Sequence, residues 1–259
     1  MSGAPGILVE IDEREVARMT VSHPGKLNIL GSALMAEMIA ATEGLAARPG
    51  LRALVLRGHG DKAFIGGADI REMAALDATS AGAFITRLHQ LCDGLRRLRV
   101  PVIARIDGYA LGAGLEVAAS CDLRIASTRA VFGMPEVKVG IPSVIEAALL
   151  PALIGWGRTR RLLLTGETIG AAEAQRWGLV ERVVSVDGLD GAVEEVVQHI
   201  LEAGPHALAL QKDLIRYWED HDTTRAIERG IAVFAAAFAA DEPHRMMRAF
   251  LDAKARGRR

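Results

Sequence analysis

Cysteine is scarce in this chain. Cys92 and Cys121 are the only two among 259 residues, too few for a disulfide framework and outside any CxxC or Cys/His metal spacing, which fits a reducing compartment and points to the cytoplasm. Aromatic residues supply only 4% of the sequence, and no long basic stripe interleaves with them, so the footprint of a nucleic-acid binder is missing. An excess of either charge is missing too: 31 basic side chains stand against 32 acidic ones, a formal net charge of −1, which argues against capture of nucleic acid or of an anionic membrane. The longest uninterrupted apolar tract, Ile231 to Ala240, falls far short of the roughly 18 to 20 residues of a membrane-spanning helix. Acidic residues appear in MSGAPGILVEIDEREV before any long apolar run, so this segment reads neither as a secretory signal nor as an Arg-rich transit peptide, and a soluble chain is expected. The seven histidines show no HExxH or similar ligand spacing, and Ser120 and Ser143 sit in no GxSxG elbow. Neither a metal site nor a serine nucleophile is expected.

What is present is bulk and periodicity. Half of the residues are apolar, mainly Ala, Leu, Val and Ile, which excludes a disordered chain and favours helix over strand. The length suits one large domain, or one domain with a smaller appendage. Ile7 to Asp12 and Glu15 to Val21 read as an opening hairpin. Leu34, Met35, Met38, Ile39, Thr42 and Leu45 recur at helical spacing, with Ser32 as the expected cap and Pro49-Gly50 as the stop. Leu51 to Arg57, Pro101 to Gly108 and Cys121 to Ser127 read as strands, the first ending in a loop, GHGDKAFIGGAD, and the second at glycines that lead into a helical stretch. Strands alternating with helices argue for an α/β fold. After Asp187-Gly188 the pattern becomes purely helical, over Val193 to Ala203, His206 to Asp220, Thr223 to Ala240 and Glu242 to Lys254, before a basic tail, ARGRR.

Two carboxylates stand out because their surroundings are apolar. Glu116 lies in YALGAGLEVAAS and Glu136 in VFGMPEVKVGIP, with a strand between them that brings the chain back. A carboxylate in such company has a raised pKa unless something holds its charge, so the two suit a general acid/base pair. The same spacing also suits two ordinary acids. The glycines of GGAD (Gly66 to Asp69) and GAG (Gly112 to Gly114) each follow a strand-like run and open a helical stretch, where backbone N–H groups can approach a ligand closely. Such turns suit an oxyanion hole, and they equally suit tight turns without a ligand. GYALGAG is not the GxGxxG of a dinucleotide site.

In order along the chain, KAFIGGADI (Lys62 to Ile70), IDGYALGAGLEVAASCD (Ile106 to Asp122) and FGMPEVKVGIP (Phe132 to Pro142) resemble the crotonase superfamily, and within it the enoyl-CoA hydratase/isomerase family. HPGKLNIL (His23 to Leu30) resembles the segment that lines the CoA adenine site, and LTGETIGAAEAQRWGLVERVV (Leu164 to Val184) the helical pair after the active site. The resemblance implies a crotonase-like spiral of ββα units over 1–195 and a C-terminal helical oligomerisation region over 196–259, which packs subunits into homotrimers or hexamers. It implies an oxyanion hole from the backbone N–H groups of Ala68 and Ala113, and Glu116 and Glu136 as the acid/base pair. It places Lys26, Leu27, Gly66, Gly67, Asp69, Ile70, Gly112 and Ser143 along the substrate and CoA path. Retention of both glutamates fits a hydratase that adds water to a trans-2-enoyl-CoA, giving a 3-hydroxyacyl-CoA. Glu116 activates the water, Glu136 handles the α-proton, and no cofactor is required, because coenzyme A belongs to the substrate. The alternatives are a Δ3-Δ2-enoyl-CoA isomerase or a specialised hydratase or lyase of the same fold, and, from another class, a non-catalytic acyl-CoA-binding or scaffold protein.

One segment departs from the family pattern. Where many members have a glycine-rich turn, this chain has Gly140 to Glu146, a residue shorter, with Ser143, Val144 and Ile145 in place of glycines. A narrower or more polar acyl pocket is expected from these side chains. Glu146 is either a third carboxylate of the site or an acid in the first turn of a helix.

Overall fold

Residues 4–256 are described by the structure, a computed structural model; residues 1–3 of the opening segment and residues 257–259 of the basic tail lie outside them. The opening hairpin forms as expected, β1 (Gly6–Ile11) pairing antiparallel with β2 (Val16–Ser22). Helix α1 (Ser32–Ala46) buries Leu34, Met35, Met38, Thr42 and Leu45, the apolar stripe of its sequence. Ser32 is not its cap. The cap position is Gly31, and the Ser32 N–H donates to Glu72 Oε2 at 2.8 Å. An unpaired first-turn N–H bonds any carboxylate within reach, and here the acid comes from the next repeat rather than from the adjacent side chain.

From here each repeat deals one strand to each of two sheets. The second repeat is β3 (Ala53–Gly58), β4 (Ala63–Ile65), α2 (Ile70–Met73) and α3 (Ala78–Arg97). The third is β5 (Val102–Ile106), β6 (Tyr109–Leu111) and α4 (Ala113–Ala119), and the fourth is β7 (Leu123–Ser127), β8 (Val131–Gly133) and α5 (Leu150–Thr165). Then follow β9 (Thr168–Gly170), α6 (Ala171–Trp177) and β10 (Arg182–Val184). The larger sheet has the order β1-β2-β3-β5-β7-β10, parallel from β2 onward, and the smaller has the order β4-β6-β8-β9, parallel except at β9. This alternation is the spiral of ββα units that the resemblance implies. Strands such as β3 and β5 are almost wholly buried, and this is why they read as apolar runs without alternation. Phe64 on β4, Phe132 on β8, and Leu88, Leu91 and Leu95 on α3 are fully buried in the core.

Two expectations need correction. The loop GHGDKAFIGGAD contains β4, and Leu164 to Val184 is not a helical pair, because β9 and β10 flank a single helix, α6. Both strands are three residues long, too short to show a period against a glycine-rich background.

The chain divides into two compact units, residues 1–196 and 197–259. Helix α7 (Leu189–Glu202) crosses that division, and α8 (Pro205–Asp220), α9 (Thr223–Ala237) and α10 (Glu242–Arg256) complete the second unit. Within it α8 packs on α9, and Glu242 caps α8 by accepting from the N–H groups of His206 (3.1 Å) and Ala207 (2.9 Å). Large apolar side chains face outward here: Ile231, Phe234 and Phe250 are each at least 68% exposed. Among the described residues, no helix is long and apolar enough to cross a membrane.

Candidate active site

The two glycine turns leave the carboxyl ends of β4 and β6, neighbours in the smaller sheet, the end of a parallel sheet where ligands characteristically bind. The 27–30 segment clamps the first turn. Gly66 N–H donates to Leu27 O (2.8 Å), Leu30 N–H to Gly67 O (2.8 Å) and Asp69 N–H to Leu30 O (2.9 Å). The Ala68 N–H, in the middle of this ladder, donates to no acceptor among the described residues. The Asp69 carboxylate caps α2 by accepting from Arg71 N–H, so its structural duty is plain.

In the second turn Gly112 has φ +51 and ψ −120, a conformation for which glycine is needed. Ala113 then opens α4, its N–H among the first-turn donors without an intrahelical acceptor. The turns touch: a Cβ on Gly114 would lie 2.0 Å from Ile65 O. Hydrogen at this position lets α4 sit against β4, and so brings the two N–H turns side by side.

Glu116 is 4% exposed, one turn along α4. Burial, opposed by a hydrogen bond from Ala147 N–H to Oε1 (3.1 Å) and reinforced by the negative charges of Glu136 and Glu146, pushes its pKa up to about 8. Glu136 opens a short 3₁₀ turn, Glu136–Val139, after β8. Its Oε1 packs against Gly112, where a Cβ would lie only 2.3 Å away, and its Oε2 accepts from Ser143 Oγ at 2.9 Å. Ser143 therefore holds one of the two glutamates. The spacing gave no sign of this role, nor of the role of Ala147, which acts through its backbone.

Glu146 lies in the first turn of a second 3₁₀ segment, Ile145–Leu149, and is 4% exposed. It is thus both a first-turn acid and a carboxylate close behind Glu116. The bulky residues of the departing segment leave room: a cavity of about 600 Å³ lies between α2, the start of α3 and residues 139–144, walled by Ile70, Met73, Phe84, Ile85, Ile141 and Val144 among others. Its walls are overwhelmingly apolar, as an acyl chain requires. Lys26 is exposed and stands on the turn beside a separate hollow of about 270 Å³ between residues 23–28 and 59–63. Lys26 is thus not gathered with the glutamates. Among the described residues, no cluster of three or more His, Cys, Asp or Glu is arranged to hold a metal ion.

An α/β protein that deals paired strands to two sheets, with its candidate reacting groups at the carboxyl ends of the smaller one, has the crotonase fold. The chain belongs to the enoyl-CoA hydratase/isomerase family, whose profile matches residues 12–256. It is 34% identical over 250 residues to a crotonyl-CoA hydratase of Syntrophomonas wolfei, covering 95% of each chain. It is 35% identical over 241 residues to a short-chain-enoyl-CoA hydratase of Clostridium acetobutylicum, covering 93% of this chain and 92% of the other. The crystal structure of an enoyl-CoA hydratase from Mycobacterium smegmatis superposes with a TM-score of 0.93 at 31% identity, over 96% of this chain and 97% of that one.

Proposed function

We propose that the protein is an enoyl-CoA hydratase in which Glu116 and Glu136 share one catalytic proton beneath an oxyanion hole made by the N–H groups of Ala68 and Ala113. The observation that carries this reading is geometric: Glu116 is buried one turn along the helix that Ala113 opens, and Glu136 packs against Gly112 at the head of that helix; burial pushes the Glu116 pKa up to about 8, in keeping with a carboxyl that carries a proton. Polarisation of the thioester carbonyl by the two N–H groups draws electron density from the double bond. The proton passes from Glu116 through a water held between the carboxylates to Glu136. Glu116, now ionised, takes a proton from that water as its oxygen bonds to the β-carbon, and Glu136 gives its proton to the α-carbon. Glu116 ends protonated and Glu136 ionised, so the product leaves the pair as the cycle found it.

The acyl chain enters the apolar cavity beside Ile70, and the CoA moiety runs past Leu27 and Gly66 toward Lys26. No cofactor takes part. The outward apolar side chains of α9 and α10 supply the surface for a homotrimer or hexamer, and the reducing interior suited to Cys92 and Cys121 is the cytoplasm.

The direct test is a panel of trans-2-enoyl-CoA thioesters, followed by loss of conjugated-thioester absorbance. Hydration of at least one is expected. If none is hydrated while a 3-enoyl-CoA isomerises, the protein is an isomerase; if thioesters bind without turnover, it is a binding protein. The mechanism also fixes a pH dependence. The pair works only while it holds a single proton, so kcat/KM should fall about tenfold per pH unit above the Glu116 value of about 8, reach a plateau below it, and fall again at acid pH once the pair takes up a second proton. A profile that stays flat to about pH 10 removes this proton from the mechanism.

A further inference from the structure

Behind Glu116 lies a pair of side chains that the hydratase mechanism does not use. Nδ1 of His89, on α3, lies 2.7 Å from Glu146 Oε1, with the His89 side chain 52% exposed and that of Glu146 4% exposed. The other oxygen, Glu146 Oε2, is buried without a hydrogen-bond partner. A carboxylate so enclosed is costly to keep and calls for an explanation beyond packing. Its neighbours supply one. Ile145, the residue before it, is held at φ +40, a conformation that a β-branched side chain adopts only when the surroundings impose it. Ala147, the residue after it, donates its N–H to Glu116 Oε1.

We propose that His89 and Glu146 form a positioning pair that anchors the strained turn 145–147 to α3 and thereby holds the Ala147 N–H against Glu116. The inference rests on the proposed function only in treating Glu116 as a reacting carboxylate. His89 fastens the Glu146 side chain, the fastened side chain keeps Ile145 in its strained conformation, and that conformation aims the Ala147 N–H, which also donates to Val144 O at 3.0 Å within the turn, at Glu116. Without the anchor the turn relaxes, and Glu116 loses the one contact that favours its ionised form. The charged and titratable groups on every side are few. Glu136, Glu146 and the Cys92 thiol of α3 face Glu116, the two carboxylates raising its pKa against the Ala147 bond. Asp93, Arg96 and the Cys92 thiol of α3 face Glu146 together with His89.

Truncation of Glu146 opens a hole in the core, so the test is made at half-exposed His89. In His89→Ala the titration midpoint of the Glu116 carboxyl, followed by carbon-13 NMR of glutamate-labelled protein, should move upward from its value in the unaltered protein. In His89→Asn, whose amide nitrogen takes the place of Nδ1, it should return. This titration needs no turnover, so its outcome stands whatever the protein hydrates. With a hydrated substrate in hand, His89→Ala should also lower kcat by about 10- to 100-fold, as expected for a displaced catalytic group, and leave KM within about threefold, since the thioester contacts are untouched. A midpoint that does not move in His89→Ala overturns the proposal. A downward movement overturns it equally, because it means that the pair acts through the charge of Glu146 and not through the turn.

Discussion

Glu136→Gln should lower kcat by about 10²- to 10⁴-fold, the range for loss of a positioned proton donor, while the affinity for acyl-CoA changes little. Glutamine keeps the shape of the side chain, and its amide can still meet Ser143 Oγ, which lies 2.9 Å from Glu136 Oε2 in the native site. What it cannot do is the task the proposed mechanism gives Glu136, to receive the proton that Glu116 passes through the water and deliver it to the α-carbon. Steady-state kinetics on the hydrated substrate, with acyl-CoA binding measured separately by calorimetry, check both halves of the expectation. A fall in affinity with kcat unchanged would place Glu136 in ground-state binding instead. A binding protein would show no turnover to lose, so the same variant separates an enzyme from a scaffold.

The unusual setting of Glu116 was legible in the sequence because a carboxylate in an apolar frame is chemically conspicuous, and burial does lift it well above an ordinary carboxylate; Glu136, in a similar apolar stretch, is only partly buried. The larger sheet, apart from its three-residue edge strand β10, was legible for a related reason. Its strands β2, β3, β5 and β7 each span at least five residues, enough for an apolar run to stand out between turns. The smaller sheet was not. Strands β4, β6, β8 and β9 have three residues each, and no period can be counted in three positions, although these are the strands that aim the site. Their presence is inferred from GGAD and GAGLE only through resemblance to a family. The terminal helices matched their periodicity to within a few residues, α8 over Pro205–Asp220 and α9 over Thr223–Ala237, because long amphipathic helices carry the strongest local signal.

What stayed hidden were partners brought together across the chain. Glu72 caps a helix 40 residues away, His89 holds an acid 57 residues on, and Ala147 bonds Glu116 across 31. Ala147 acts through the main chain, so no residue type could have marked it. His89 read as one more scattered histidine. Ser143 was placed at the site by its alignment with a glycine, but its partner there, a carboxylate oxygen, follows from where the shortened turn puts its hydroxyl.

Gly112 is where sequence, backbone and chemistry meet, and Gly112→Ala should cripple the enzyme without unfolding it. The new Cβ would lie 2.3 Å from Glu136 Oε1. That oxygen is the far end of a flexible side chain, so the carboxylate moves aside and the protein survives. The move takes Glu136 off the line between the shared water and the α-carbon, and a displacement of about 1 Å at a reacting group costs on the order of 10²-fold. A second effect adds to it. At φ +51 and ψ −120 an alanine is strained by about 1 to 3 kcal/mol, and relief of that strain rotates the peptide that presents the Ala113 N–H, where a lost oxyanion donor costs roughly 10²- to 10³-fold in kcat. Strain of that size lowers Tm by only a few degrees to about 10 °C in a chain of this length. Calorimetric unfolding beside single-turnover kinetics should therefore show a folded protein with kcat down by at least about 10²-fold. The contrasting variant is Gly114→Ala, whose Cβ would meet the backbone oxygen of Ile65 at 2.0 Å. Backbone cannot step aside as a carboxylate does, so that substitution should lose stability and activity together. Equal losses of Tm in the two variants would mean that Gly112 serves packing alone, and that the close approach of Glu136 to the turn is incidental to catalysis.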